Sequence, residues 1–143
     1  MFKIITILFL IFSISSCNTS QSKKQDPNWI NENTYRITVT VKPKANITDI
    51  QKRRARCKEH AIITAQYEIL VAFRNYYQLI PDCGCGNSPI RVINPAFRPI
   101  LKNGTTISFA FNKQKCVLTY EVKNRNLKKF VKEKLYTIKQ ENK

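Results

Sequence analysis

Acidic residues are scarce in this chain. Nine Asp and Glu stand against 25 Lys and Arg in 143 residues, a formal net charge of +16 at pH 7. Paired carboxylates at a spacing suited to acid–base chemistry are absent, as are a nucleophile elbow and a phosphate-binding loop. Histidine occurs once, at His60 beside Glu59. On a helix such neighbours point about 100° apart, so they form no dyad, and the histidine reads as structural. These absences argue against an enzyme. No internal repeat is present either. Long hydrophobic runs are lacking too: residues 4–14 are almost wholly apolar, but a membrane-spanning helix needs about 20 such residues.

That run, with Lys3 before it, has the length of a secretory signal h-region. It closes on Ile14, Ser15, Ser16 and Cys17. An aliphatic residue, two small ones and a cysteine resemble a bacterial lipobox, in which the small residues let the signal peptidase approach the backbone and the thiol takes diacylglycerol. Residues 1–16 are therefore expected to be a lipoprotein signal peptide and Cys17 the lipidated first residue of the mature chain. The covalent lipid is the only prosthetic group expected. Several acyl chains anchor stably where one does not. The implied location is the cell envelope, lipid-anchored, most simply at the outer membrane.

Removing residues 1–16 costs one cation, Lys3, and leaves a net charge of about +15. A surface so basic calls for a polyanionic neighbour: anionic lipid head groups, lipopolysaccharide, cell-wall polymer or host polysaccharide. Export argues against nucleic acid. Residues 17–28 are polar and aperiodic and read as a flexible tether, with a root-mean-square span of about 18 Å. Residues 29–143 are expected to form a single domain.

Within that domain, Tyr35, Ile37, Val39 and Val41 alternate with Arg36, Thr38, Thr40 and Lys42, the pattern of a one-sided strand ended by Pro43. Thr48 and Gln51 form a capping box, so a long helix is expected from there to about Ile80, before Pro81. Its inward stripe is Cys57, Ala61, Ala65, Ile69, Ala72 and Tyr76, flanked by Ile62 and Phe73. Residues 81–104 hold four prolines and all three glycines, which predicts a long Cys/Pro-rich loop with a short strand over 90–93. Ile107, Phe109 and Phe111 alternate, as do Cys116, Leu118, Tyr120 and Val122, with a hairpin turn at 112–115. A final helix over about 125–139 buries Leu127, Phe130, Val131, Leu135 and Ile138 and carries Arg125, Lys128, Lys129, Lys132 and Lys139 on its outer face. Lys134 interrupts the apolar side and must snorkel. The fold class is α+β: a small, largely antiparallel sheet of about three strands packed with one long and one short helix, in the order strand, helix, loop, strand, strand, helix.

With Cys17 set apart, Cys57, Cys83, Cys85 and Cys116 remain, and in an exported chain they are expected in disulfides. Four cysteines allow three pairings. Bonding Cys83 to Cys85 across one glycine closes a strained ring, so the preferred arrangement joins Cys57 and Cys116 each to one member of that pair. Free structural thiols are one rival. A metal site is another, with His60 one turn from Cys57, but structural zinc spacing is C-x2–4-C and C-x-C is tight. The basic run Lys52, Arg53, Arg54, Arg56 and Lys58 at the start of the first helix is the candidate anion site, since helix N-termini present N–H groups to anions. The five side chains project around much of the helix, so a solvated basic end is the plainer reading.

Trp29, the run Thr34, Tyr35 and Arg36, then Arg53, Arg54, Ala61, Ala65, Gln66 and Phe73 resemble the start of the twenty-kilodalton membrane-associated lipoprotein family of bacteria, spirochaetal relatives included. The similarity spans roughly residues 29–75. It implies a non-enzymatic, outer-membrane-associated lipoprotein; some relatives assemble into envelope or flagellar basal structures. That gives a second expectation, a homo-oligomeric structural component. Only the lipobox cysteine carries over, onto Cys17, and the cysteine-rich loop departs from the family pattern. A thiol or metal enzyme using Cys83 and Cys85 is the third alternative.

Overall fold

The computed structural model describes residues 26–77 and 89–141. The signal peptide, Cys17, the tether up to residue 25, Cys83 and Cys85 lie outside the described residues. The elements are β1 (Trp29–Asn31), β2 (Thr34–Val41), α1 (Ile50–Tyr77), α2 (Pro89–Lys102), β3 (Thr105–Phe111), β4 (Cys116–Lys123) and α3 (Leu127–Glu141). The fold is α+β, with a fully antiparallel four-stranded sheet of order β1-β2-β4-β3.

The alternation in β2 and β4 sets the layers. Tyr35 pairs with Val122, Ile37 with Tyr120, Val39 with Leu118 and Val41 with Cys116, so one face of both strands is apolar. The other face carries Arg36 opposite Glu121 and Thr38 opposite Thr119. α1 packs across the apolar side of β2, β4 and β3; α2 touches β4 and α1; and α3 packs on α1 and α2. Ala61 and Ala65 are fully buried in α1, which lets its backbone lie close to the strands. Ile69, Leu70 and Phe73 continue the stripe; Ala72 and Ile62 are half-buried at its margins.

β1 adds the strand that the sequence pattern did not predict. It is three residues long, below the length at which alternation can be read. Its Trp29 starts a run of ring contacts in the core: Trp29 meets Tyr35 and Phe73, Phe73 meets Phe97, and Phe97 meets Phe130 at 6.1 Å between centroids. Asp26 and Asn28, just ahead of β1, are engaged by hydrogen bonds as well. Asp26 caps Asn28 N–H and accepts a 2.8 Å hydrogen bond from the Tyr35 hydroxyl. Burial first, and then that bond and the charge of Asp26, push the Tyr35 phenol far above its ordinary pKa.

Three local expectations are corrected. The helix α1 is capped by Asp49, not Thr48: its Oδ1 accepts Gln51 N–H at 2.8 Å and Lys52 N–H at 2.9 Å, and its carbonyl accepts Arg53 N–H. Residues 89–102, expected in a long loop with a strand at 90–93, form α2. Ile93, Phe97 and Leu101 recur every fourth residue and are all buried, while Pro95 and Pro99 lie exposed on the opposite side. Each internal proline removes a helix hydrogen bond, at a cost of about 3 kcal/mol in a helix interior. Burial of that apolar stripe offsets it. In β3 a bulge between Thr106 and Ser108 turns Ile107 out of the alternation, and Ile107 is 48% exposed.

The remaining elements follow the pattern closely. The 112–115 turn closes with Asn112 N–H donating to the Lys115 carbonyl at 3.0 Å, and the Asn112 side chain accepts from Gln114 and Lys115 N–H. α3 buries Leu127, Val131, Leu135 and Ile138. Lys128 departs from the expected outer basic face: it turns inward, 15% exposed, with its ammonium 3.0 Å from Glu32 and over the Trp29 ring. Lys134 is exposed, with its ammonium 5.9 Å from the Phe130 ring centroid.

Candidate functional site

Cys57 is bonded to Cys116, with their Cα atoms 6.3 Å apart. This corrects the preferred pairing, in which each was joined to Cys83 or Cys85. The reason is the register. Cys116 opens β4 on the apolar face opposite Val41 and Phe111, and Cys57 lies on the α1 stripe that crosses this end of the sheet. The bond also removes the Cys57 thiolate from any metal site. Among the described residues no group of three His, Cys, Asp or Glu could hold a metal ion. His60 is exposed, and its carbonyl accepts the Thr64 hydroxyl.

The disulfide ties the start of α1 to one pole of the sheet. The same pole holds the β3–β4 turn, where Arg53 donates from Nη2 to the Lys113 carbonyl at 3.2 Å. It also holds the end of β2, since Val41 pairs with Cys116. The elements at this pole carry cations distant in sequence: Lys42 and Lys44 follow β2, Lys52, Arg53, Arg54 and Lys58 lie on α1, and Lys113 and Lys115 lie on the turn. None of these eight pairs with a carboxylate among the described residues. The cations elsewhere include several that do: Arg36 and Lys123 share Glu121, Lys128 takes Glu32 and Lys129 takes Glu133.

The five residues of the basic run have separate fates. Arg54 and Lys58, one turn apart, lie over the same ring: the Arg54 guanidinium carbon and the Lys58 ammonium are each 5.9 Å from the Phe109 centroid. Arg53 is half-buried and straps α1 to the turn. Arg56 pairs with Glu59 at 3.0 Å on an exposed face. Lys52 stays at the capped end. The helix N-terminus is not an open anion site, because the Asp49 carboxylate already accepts from its first N–H groups. What the run supplies is a shallow cleft of about 280 Å³, lined by Gln51, Arg54, Ala55, Lys58 and Phe109.

Sequence reasoning missed Phe109 and the lysines at 42, 44, 113 and 115 as members of this site. Alternation placed Phe109 on the inward face, and it is half-buried there, but which helix residues it meets depends on tertiary packing. A second cleft, about 290 Å³, lies between α1 and α2, lined by Ile63, Gln66, Tyr67, Leu70, Asn94, Arg98, Leu101 and Lys102. Ile63 and Tyr67 are exposed there.

No family model, no curated protein and no solved structure matches this chain. The functional reading therefore rests on the residues themselves. Among the described residues, no helix is long and apolar enough to cross a membrane.

Proposed function

We propose that this protein is a lipid-anchored component of the cell envelope whose domain binds anionic polymers, without enzymatic activity. The sequence supports the anchor: a short h-region leads into Ile14, Ser15, Ser16 and Cys17. The resemblance of residues 29–75 to membrane-associated bacterial lipoproteins points the same way, to the outer membrane. The observation that carries the binding role is the pole where Lys42, Lys44, Lys52, Arg54, Lys58, Lys113 and Lys115 gather without acidic partners. Like charges gathered at one end of a domain repel one another, most strongly within a Debye length, about 8 Å at physiological salt. A polyanion laid across them relieves that repulsion and releases its own counterions, as phosphate backbones do. Lipopolysaccharide, cell-wall polymer, anionic head groups and host polysaccharide all have this chemistry.

Two measurements test it. The mass of the mature protein reports whether the chain starts at Cys17 with diacylglycerol attached. Binding to heparin-like polysaccharide and to anionic vesicles, titrated with salt, reports the pole. Replacing Lys52, Arg54, Lys113 and Lys115 by Gln should weaken binding and flatten its salt dependence. Unchanged binding at physiological salt would refute the polyanion reading.

A homo-oligomeric structural role is the second reading. It is favoured by β3, whose outer edge has no partner strand among the described residues and carries the exposed Ile107. Size-exclusion chromatography separates the two: a stable large oligomer that dissociates on Ile107→Lys substitution supports assembly.

A further inference from the structure

We infer that the cleft formed by Arg54, Lys58, Gln51 and Phe109 is a subsite for one acidic sugar unit of a polysaccharide, so that the domain reads a saccharide and not charge alone. The inference rests on the polyanion reading above and names its ligand class. Arg54 and Lys58 are both held against the Phe109 ring at 5.9 Å with no carboxylate to separate their charges. An oxyanion received between them meets a guanidinium able to bind it in bidentate fashion and an ammonium one turn away.

Charge alone would leave the rest of the cleft without a role. Its lining also includes the apolar Phe109 and Ala55 and the neutral amide of Gln51. An inorganic anion uses neither. A pyranose ring uses both: its C–H groups pack on the part of the Phe109 ring that Arg54 and Lys58 leave uncovered, its carboxylate or sulfate reaches the two cations, and a ring hydroxyl meets Gln51. The volume, about 280 Å³, lies at the small end of ligand-sized clefts and suits one sugar ring. The cleft is shallow, so a chain can continue past the bound unit. Lys113 and Lys115, exposed on the neighbouring turn, then take charges on adjacent units.

The test uses full-length protein in non-ionic detergent and four soluble probes: a sulfated heparin-derived tetrasaccharide, oligogalacturonate, inorganic phosphate, and glycerophosphoglycerol, the head group of phosphatidylglycerol. Three variants are compared: Arg54→Gln with Lys58→Gln, Lys113→Gln with Lys115→Gln, and Phe109→Leu. The last keeps apolar volume but removes the flat ring, and thermal unfolding of each variant checks that the fold persists. The first pair should lower affinity for one or both oligosaccharides about tenfold or more, the loss expected for charge-assisted hydrogen bonds. The second pair should cost no more than about threefold, as rim charges do. Phe109→Leu should weaken saccharide binding by about threefold or more and leave phosphate and glycerophosphoglycerol binding unchanged. Which oligosaccharide responds tells sulfate from carboxylate.

Equal losses in the two charge pairs, or wild-type saccharide binding by Phe109→Leu, would overturn the subsite while leaving general polyanion binding intact. Tighter binding to glycerophosphoglycerol than to either oligosaccharide would also overturn it, in favour of a lipid head group. Failure of the wild-type protein to bind every polyanionic probe at physiological salt would remove the broader reading as well.

Discussion

The hydroxyl of Tyr120 donates a 2.6 Å hydrogen bond to the carbonyl oxygen of Leu101. It thereby joins the middle of the sheet to the end of α2. The Gln66 amide donates to both of these oxygens at 3.2 Å, so three elements meet at one buried point. Gly104 N–H closes the helix on the same carbonyl. The arrangement supplies donors to a helix-end carbonyl that would otherwise be left unsatisfied in the core.

Gly104 is the residue that makes room for it. A Cβ added there would stand 2.5 Å from Tyr120 Cε1 and 2.6 Å from its hydroxyl oxygen. The ring is buried and its hydroxyl is engaged, so it has nowhere to retreat. Gly104→Ala should destabilise the domain by about 1–3 kcal/mol, the usual cost of overpacking. Urea unfolding measures it. Tyr120→Phe in the Gly104→Ala background should recover little, since the ring carbons clash as well as the oxygen.

The disulfide makes a prediction of covalent structure and of stability. Digestion without reduction should release a peptide pair joined through Cys57 and Cys116. The bond spans 59 residues of sequence. On chain-entropy grounds a loop of that size contributes about 4 kcal/mol. Replacing both cysteines by Ala should lower Tm accordingly and loosen the basic pole, which would show as weaker polyanion binding.

Acid should weaken the sheet through Glu121. Its carboxylate is 2% exposed, 2.7 Å from the Lys123 ammonium and 2.8 Å from Arg36 Nε. The hydrogen bond from Lys123, and then Arg36, hold its pKa below the ordinary glutamate range against the opposing effect of burial. The folded state therefore binds this proton less readily than the unfolded chain. The stability Glu121 contributes is present in full above the unfolded value, about 4.3. It is lost as pH falls through the lower folded value. Glu121→Gln should thus be less stable than wild type at pH 7, and the difference should shrink below pH 4.

The Asp49 cap can be tested against the expected one. Asp49→Ala should cost about 1 kcal/mol, whereas Thr48→Ala should cost little, because the N–H groups of Gln51 and Lys52 are bonded to Asp49. Thermal unfolding of the two variants separates them.

Much of the fold is legible locally. Period-two alternation found β2 and β4, and four-residue spacing found α1 and α3, because each face of these elements meets only one environment. The same rule failed at residues 89–102. Pro95 and Pro99 argue against a helix on propensity, and the Ile93, Phe97 and Leu101 stripe is recognised only by its burial in the core. Ile107 failed for the opposite reason: its alternation was regular, but the bulge that turns it outward arises from pairing with β4.

The sequence by itself determined an α+β domain, a strongly basic balance and the presence of a cationic run at the start of α1. Those properties follow from composition and short-range periodicity. Tertiary structure alone decided that Cys57 takes Cys116 and that Arg54 and Lys58 lie over the ring of Phe109. Each of these depends on which residues the strand register and helix packing bring within a few ångströms, and nearness in space across 50 or more residues leaves no periodic trace in the chain.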